Sequence, residues 1–251
     1  KQTVVINGIS STPKDLDCGV PQGSVLGPIL FIIYTLPLGD IVRRHNIQFH
    51  FYADDSQLYL TFSPKDVSRT KSRMECLISD IRVWMAHNML KLNDDKTEVL
   101  VISSRYRSEI NFPVLTIGQD NVQSTNSVRN LGVILDSSLD LHSQVNNVTR
   151  VSFHQLRGMS KIRRSVTEDA AKTMAHAFVT ARVDYCNALL YGLPQYLFDK
   201  LQYVLNSAAR MVTFTPIRDH ISPVLKYLHW LPVKKRVEFK ILLLTYKALH
   251  G

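Results

Sequence analysis

Two adjacent carboxylates, Asp54 and Asp55, are the residues of this chain whose type and spacing best suit chemistry. They lie at the centre of a stretch, 47–62, that reads as a hairpin. On the entry arm Ile47, Phe49 and Phe51 alternate with Gln48, His50 and Tyr52. On the exit arm Leu58, Leu60 and Phe62 alternate with Gln57, Tyr59 and Thr61. Period-two alternation on both sides of a short polar break marks two antiparallel strands, each with one apolar face that needs a core beneath it. Two like charges side by side at a tight turn repel, and Asn-Gly or Asp-Gly would make a better turn. A hard divalent cation removes the repulsion, because Mg²⁺ takes carboxylate oxygens and is held by few protein ligands plus substrate phosphates. The plain alternative is a solvated Asp-Asp turn with no ion, and a bare Asp-Asp pair does not separate the two.

The elements that must position this pair follow from pattern. Residues 4–9 read as a strand, with Asn7-Gly8 as a turn signal. The run Gly19-Val20-Pro21-Gln22-Gly23-Ser24-Val25-Leu26-Gly27-Pro28 is dense in glycine and proline, so it is a loop of special backbone geometry. Ser24 suits an N-cap and Pro28 a first helical turn. The following Ile29-Leu30-Phe31-Ile32-Ile33-Tyr34 is apolar all round, which predicts a buried helix ending near Pro37, with a second short helix over Ile41 to Arg44. Ser63-Pro64-Lys65-Asp66 reads as a helix start. Met74, Leu77, Ile78, Ile81, Trp84 and Met85 then repeat at helical spacing, and Asn88 is a stop.

Leu90-Lys91-Leu92 and Glu98-Val99-Leu100-Val101-Ile102 bracket a polar turn, Asn93-Asp94-Asp95-Lys96-Thr97, which predicts a second hairpin. Strands are expected over 114–117 and 128–135. From Leu139 the patterns are helical. Thr167-Glu168-Asp169 is a capped start. Met174, Phe178, Ala181 and Tyr185 form one face, Leu197, Leu201, Val204, Leu205 and Ala208 another, and Val237, Ile241, Leu244 and Leu249 a last one. The cluster Arg157, Lys161, Arg163 and Arg164 is either a solvated helix end or a phosphate-backbone contact.

Composition narrows the classes. The 251 residues are 45% hydrophobic, enough for one large or two modest domains. A formal net charge of +9 points to a polyanionic partner, nucleic acid ahead of an acidic membrane surface. Cys18, Cys76 and Cys186 are far apart, which speaks against a zinc site or a disulfide framework and suggests a reducing compartment. No apolar run approaches the ~18 residues of a membrane span. The chain starts without Met directly before a strand-like run, which reads as a piece of a longer protein.

Four ordered stretches then meet a family. The glycine-rich loop 19–28, Phe51-Tyr52-Ala53-Asp54-Asp55, Leu92-Asn93 with Lys96-Thr97-Glu98, and Val128-Arg129-Asn130-Leu131-Gly132-Val133 resemble the reverse transcriptase of non-LTR, LINE-type retrotransposons. The helical tail is similar as well, through Ala181-Arg182-Val183-Asp184-Tyr185-Cys186-Asn187, Asn206-Ser207-Ala208-Ala209-Arg210 and Leu228-His229-Trp230-Leu231-Pro232-Val233. The first two motifs together are specific; the lysine turn alone is weak.

The resemblance implies an α+β fold, a partial right-hand polymerase palm over 1–136 followed by a helical, thumb-like region over 137–251. It implies RNA-directed DNA synthesis by in-line attack of a 3′-hydroxyl on an α-phosphate, with two metals about 4 Å apart. Asp54 and Asp55 match the metal-binding catalytic pair, for Mg²⁺ or Mn²⁺. Pro21, Gln22 and Gly23 match the loop against nucleotide and template, and Tyr52 the residue beside the primer end. Lys96 would protonate or neutralise departing pyrophosphate. Leu131 and Gly132 would support the primer, and Arg157, Lys161, Arg163 and Arg164 would meet phosphates.

The implied partners are an RNA template, a DNA primer, deoxynucleoside triphosphates and the N-terminal part of the same polyprotein, with no membrane. An intracellular site, nucleus and cytoplasm, follows from the resemblance alone. The family carries a third carboxylate on an earlier strand and basic fingers upstream, so this stretch alone is expected to be an incomplete polymerase. The rival readings are a non-catalytic nucleic-acid-binding remnant and a basic α+β protein without a nucleic-acid role.

Overall fold

The computed structural model describes residues 3–15, 19, 23–104 and 110–251. Helices predominate, and the strands gather in five two-stranded sheets among the described residues. The chain packs as two compact units. One comprises Lys1–Glu98 with Ile110–Ser124, the other Val99–Glu109 with Thr125–Gly251.

The first unit opens on a small hairpin, β1 (Val5–Ile6) and β2 (Ile9–Ser10). Asn7 and Gly8 both take positive φ, 52° and 80°, so the expected strand folds back at its turn signal. Helix α1 (Gly27–Arg44) follows, with proline in its first turn and no side-chain cap from Ser24. It does not end near Pro37 but runs through it, and the expected second helix is its continuation. An internal proline costs about 3 kcal/mol. Leu38, Ile41 and Val42, at 5% exposure or less, bury against the core and outweigh it, at about 1.5–3 kcal/mol each. The apolar first half is not buried as expected: Ile29, Ile32, Ile33 and Leu36 stand more than half exposed.

The central hairpin forms as β3 (Gln48–Tyr52) and β4 (Asp55–Tyr59). Its apolar side packs Phe49, Phe51, Leu58 and Leu60 onto Leu38, Ile41, Val42, Ile47, Leu77 and Ile81. The last two come from α2 (Val67–His87), entered through a single 3₁₀ turn over Pro64–Asp66 that Ser63 caps. Met74, Trp84 and Met85 pack on the same core, as the helical stripe requires. Arg73 on α2 donates to the carbonyls of His45 and Asn46, each at 3.0 Å, and Asp80 pairs with His45 at 2.7 Å. These contacts fix the chain where α1 turns into β3.

The second expected hairpin does not form. Residues 90–92 are not a strand; β5 (Val99–Leu100) pairs instead with a later segment. A hairpin, β6 (Leu115–Ile117) with β7 (Asp120–Val122), completes the unit and packs on α2. The partner of β5 is β8 (Ser124–Thr125), and the Thr125 hydroxyl donates to the Val99 carbonyl at 3.4 Å.

In the second unit the expected single strand over 128–135 is a hairpin, β9 (Ser127–Asn130) and β10 (Val133–Asp136). Leu131 and Gly132 form its turn, at φ 44° and 84°. Positive φ at both central residues matches the natural twist of a two-residue hairpin loop. The helices are α3 (His142–Ile162), α4 (Glu168–Ala175), α5 (Ala181–Asp184), α6 (Gln195–Thr213), α7 (Ser222–Tyr227) and α8 (Val233–His250). The Thr167 side chain caps α4, as its sequence suggests.

The face Leu197, Leu201, Val204, Leu205 and Ala208 is buried as expected. From α4 to α5 the buried face is Ala171, Ala175, Val179 and Val183, while Phe178, Ala181 and Tyr185, at helical spacing in the sequence, are exposed. The small residues fit where helices pack closely, and a π-helical turn at His176–Thr180 shifts the periodicity. Of α8 only the start, Val233 and Val237, is buried, whereas Leu244 and Leu249 are exposed. No helix among the described residues is long and apolar enough to cross a membrane.

Candidate active site

The register pairs Tyr52 with Asp55 and Phe51 with Ser56, so the turn proper is Ala53-Asp54. Ala53 sits at φ 53°, a left-handed conformation that disfavours any residue with a Cβ. Paired residues share a face, and side chains alternate along each strand. Asp55 therefore faces with Tyr52, His50, Gln57 and Tyr59, away from the phenylalanine face in the core. Asp54 and Asp55 are both exposed, and Tyr52 is 61% exposed. No cationic side chain among the described residues pairs with either carboxylate. The sequence thus folds into an apolar base that presents at its tip two carboxylates with no cationic partner among the described residues.

Behind that tip, Gly39 of α1 permits close packing. A Cβ there would lie 3.1 Å from the Phe49 ring, and the Arg43 guanidinium lies over that ring, 5.3 Å from its centroid. Phe49 and Phe51 pack with centroids 4.5 Å apart. The base of the hairpin is thereby seated on α1 through its aromatic face.

Lys96 lies in a 3₁₀ turn, Asp94–Lys96, with its side chain exposed. Asp94 anchors this turn through an ion pair with Arg82 of α2 at 2.5 Å. Gly118, at φ 64°, lets the Arg82 guanidinium pass within 2.7 Å of where a Cβ would be. Pro21 and Gln22 lie outside the described residues. Gly23 is described, at φ 88° with open space where a Cβ would go. Backbone conformation, not crowding, is what suits glycine there.

In the second unit Leu131 and Gly132 sit at the tip of the β9–β10 hairpin. Arg157, Lys161 and Arg164 are exposed on α3 and just after it. Arg163 departs from the sequence expectation. It is 6% exposed and turns inward, donating to the carbonyls of Val166 at 2.9 Å, Met211 at 3.1 Å and Val212 at 2.5 Å. Its guanidinium stacks 4.1 Å over Phe214. A charge so placed caps the C-terminus of α6 and favours its dipole, and it is not available to a phosphate. The exposed basic cluster is therefore three residues.

The ordered motifs agree with a comparison across known proteins. The family described as reverse transcriptase (RNA-dependent DNA polymerase) matches residues 1–135. The chain belongs to this family. Curated relatives of this chain include a probable RNA-directed DNA polymerase from transposon BS of Drosophila melanogaster, 23% identical over 214 residues. That alignment covers 82% of this chain and 23% of the relative. The RNA-directed DNA polymerase from mobile element jockey of Drosophila funebris is 31% identical over 153 residues, covering 59% of this chain and 16% of the relative. A probable RNA-directed DNA polymerase from transposon X-element of Drosophila melanogaster is 25% identical over 140 residues, 55% of this chain and 15% of the relative. The chain thus spans less than a quarter of the length of these relatives. No solved structure matches it.

As a donor set for Mg²⁺ or Mn²⁺, Asp54 and Asp55 fit in kind, being hard oxygen ligands with no competing cation among the described residues. Among the described residues no group of three or more His, Cys, Asp or Glu gathers to hold a metal ion. The hairpin therefore offers a pair of ligands, not a closed cage. Three connections escaped sequence reasoning: Arg82 to Asp94, Asp184 to Arg236, and Tyr185 to Leu131. The last two join residues more than 50 positions apart, and no local pattern announces such pairs.

Proposed function

We propose that this segment carries the metal-binding hairpin of an RNA-directed DNA polymerase, with a palm-type portion over 1–136 and a helical thumb-type portion over 137–251. The observation that carries the reading is the adjacent, exposed Asp54 and Asp55, without a cationic partner among the described residues, at the tip of a hairpin seated by its aromatic face. Both carboxylates would hold the divalent ion, which supplies charge stabilisation to the in-line displacement at phosphorus. Tyr52, on the same face as Asp55, presents a flat, half-apolar ring suited to packing beside a primer terminus. Gly23 gives the loop at 19–28 a backbone that nucleotide and template can approach closely, with Pro21 and Gln22 as its neighbours. Lys96 donates toward the leaving pyrophosphate. The Leu131-Gly132 turn supports the primer, and Arg157, Lys161 and Arg164 neutralise backbone phosphates.

Template RNA, primer DNA and deoxynucleoside triphosphates are the substrates in this reading, and the remainder of a polyprotein supplies the other catalytic groups. A second reading, in which the segment binds nucleic acid without synthesis, rests on the exposed Arg157, Lys161 and Arg164. Manganese titration of the 251-residue chain, followed by electron paramagnetic resonance with an RNA–DNA primer–template and a nucleotide present, separates the two. The polymerase reading expects saturable Mn²⁺ binding that disappears in Asp54→Asn, Asp55→Asn. Equal binding by both proteins, with duplex affinity retained, supports the non-catalytic reading.

A further inference from the structure

The β9–β10 turn is held from outside by Tyr185, which helical spacing alone assigns to a helix face. The Tyr185 hydroxyl donates to the Leu131 carbonyl at 2.7 Å, across 54 residues of chain. A Cβ on Gly132 would lie 3.5 Å from the Tyr185 ring, so the ring also packs against the second turn residue. Hairpin turns ordinarily leave such carbonyls to water, because the ladder ends before them. Leu131 adopts φ 44°, an unfavourable conformation for a branched side chain, and such a conformation persists when surroundings enforce it.

Burial does not explain Tyr185. The residue is 52% exposed. The backbone is shaped to present it. Helix α5 stops at Asp184, Tyr185 is extended, and Cys186 takes φ 49°. Immediately before it, the Asp184 carboxylate accepts from Arg236 at 2.6 Å, and Arg236 also donates to the Leu231 carbonyl at 2.7 Å. Asn187 lies 3.5 Å from the other Asp184 oxygen and is 3% exposed. The Tyr185 ring thus projects from a bracket fastened on both sides, and its one polar atom ends on the turn.

We infer that Tyr185 is a positioning residue that fixes the height and orientation of the Leu131-Gly132 turn, the surface on which a primer end rests. This rests on the primer-support reading of that turn given above. Tyr185 touches no reacting atom in this scheme; it acts through the turn.

The test uses the 251-residue chain and its Tyr185→Phe variant, with an RNA template annealed to a DNA primer. One primer carries a photoreactive nucleotide at its 3′ end, another carries it ten positions inward. The variant keeps the ring and the packing against Gly132 and loses only the hydroxyl. Its thermal midpoint and its affinity for the duplex are expected to stay unchanged. Amide exchange across 130–133 is expected to accelerate about five-fold, the scale of one ordinary hydrogen bond. Crosslinking of the 3′ end to 129–133 is expected to fall by a similar factor, while crosslinking at the inward position stays the same. A Tyr185→Ala variant, which also removes the ring, should exceed both losses.

If the wild-type chain crosslinks at the turn and Tyr185→Phe matches it in exchange and crosslinking, the inference is overturned and the primer-support reading stands. If the wild-type chain gives no 3′-end crosslink at 129–133, the primer-support reading is overturned and the inference goes with it.

Discussion

Asp54 and Asp55 stand where a folding argument alone would not put them. They crowd like charge at a turn whose first central residue, Ala53, is already in a left-handed conformation. A site kept for its chemistry tolerates such local cost. Asp55→Asn should therefore leave stability within about 0.5 kcal/mol of wild type or slightly raise it. Chemical denaturation checks this, and a loss of several times that size would mean that the carboxylate is a structural partner instead.

Asp140 shows the opposite behaviour. Its carboxylate accepts the His142 backbone N–H at 2.9 Å at the start of α3, and this hydrogen bond is the main cause that holds its pKa below the ordinary carboxylate value. A depressed folded pKa gives stability that is fully present above the unfolded value of about 3.9 and is lost as pH falls through the folded value. Asp140→Asn keeps a capping side chain but removes the charge. The stability difference between wild type and variant should be largest near neutrality and shrink in acid. A difference that grows as pH falls contradicts this.

At the scale of elements, the hairpin at 47–62 was legible because both arms alternate and both alternating faces found a core. Helix α2 was legible for the same reason at helical period. What pattern could not give was pairing over distance. Val99 and Leu100 look like the return arm of a local hairpin, yet they pair with β8, while Arg82 ties down the polar turn before them. The run 128–135 reads as one strand because Leu131 is apolar and in phase, and only its positive φ reveals the turn. The apolar start of α1 reads as buried because sequence reports hydrophobicity and not what covers it.

Arg163 is likewise placed by packing over distance. Charge pattern places it with Arg157, Lys161 and Arg164, but it closes the C-terminus of α6. Arg163→Met would leave three carbonyl acceptors without that donor in a buried place. A loss of about 3 kcal/mol or more in urea unfolding is expected, since each stranded group costs about 1–3 kcal/mol. A change below about 0.5 kcal/mol would show that water replaces the guanidinium.

For the whole molecule, a net charge of +9 with three exposed cations at the end of α3 sets the expected mode of binding. Each phosphate neutralised contributes nearly one to the slope of log affinity against log salt. Replacing Arg157, Lys161 and Arg164 by glutamine should make the slope for an RNA–DNA duplex shallower by about 2 to 3. An unchanged slope would take the duplex off that surface. Such binding suits polymerase and remnant alike, so it cannot separate them.

RNA-templated primer extension does separate them, using a polymerase that contains this segment within its natural longer chain. Asp54→Ala, Asp55→Ala is expected to lower nucleotide incorporation by at least about 10²-fold, the scale on which one electrostatic stabiliser of a transition state is felt. Duplex binding should persist in that variant. Incorporation equal to that of the unaltered enzyme would contradict the assignment of this hairpin as the site of nucleotide addition.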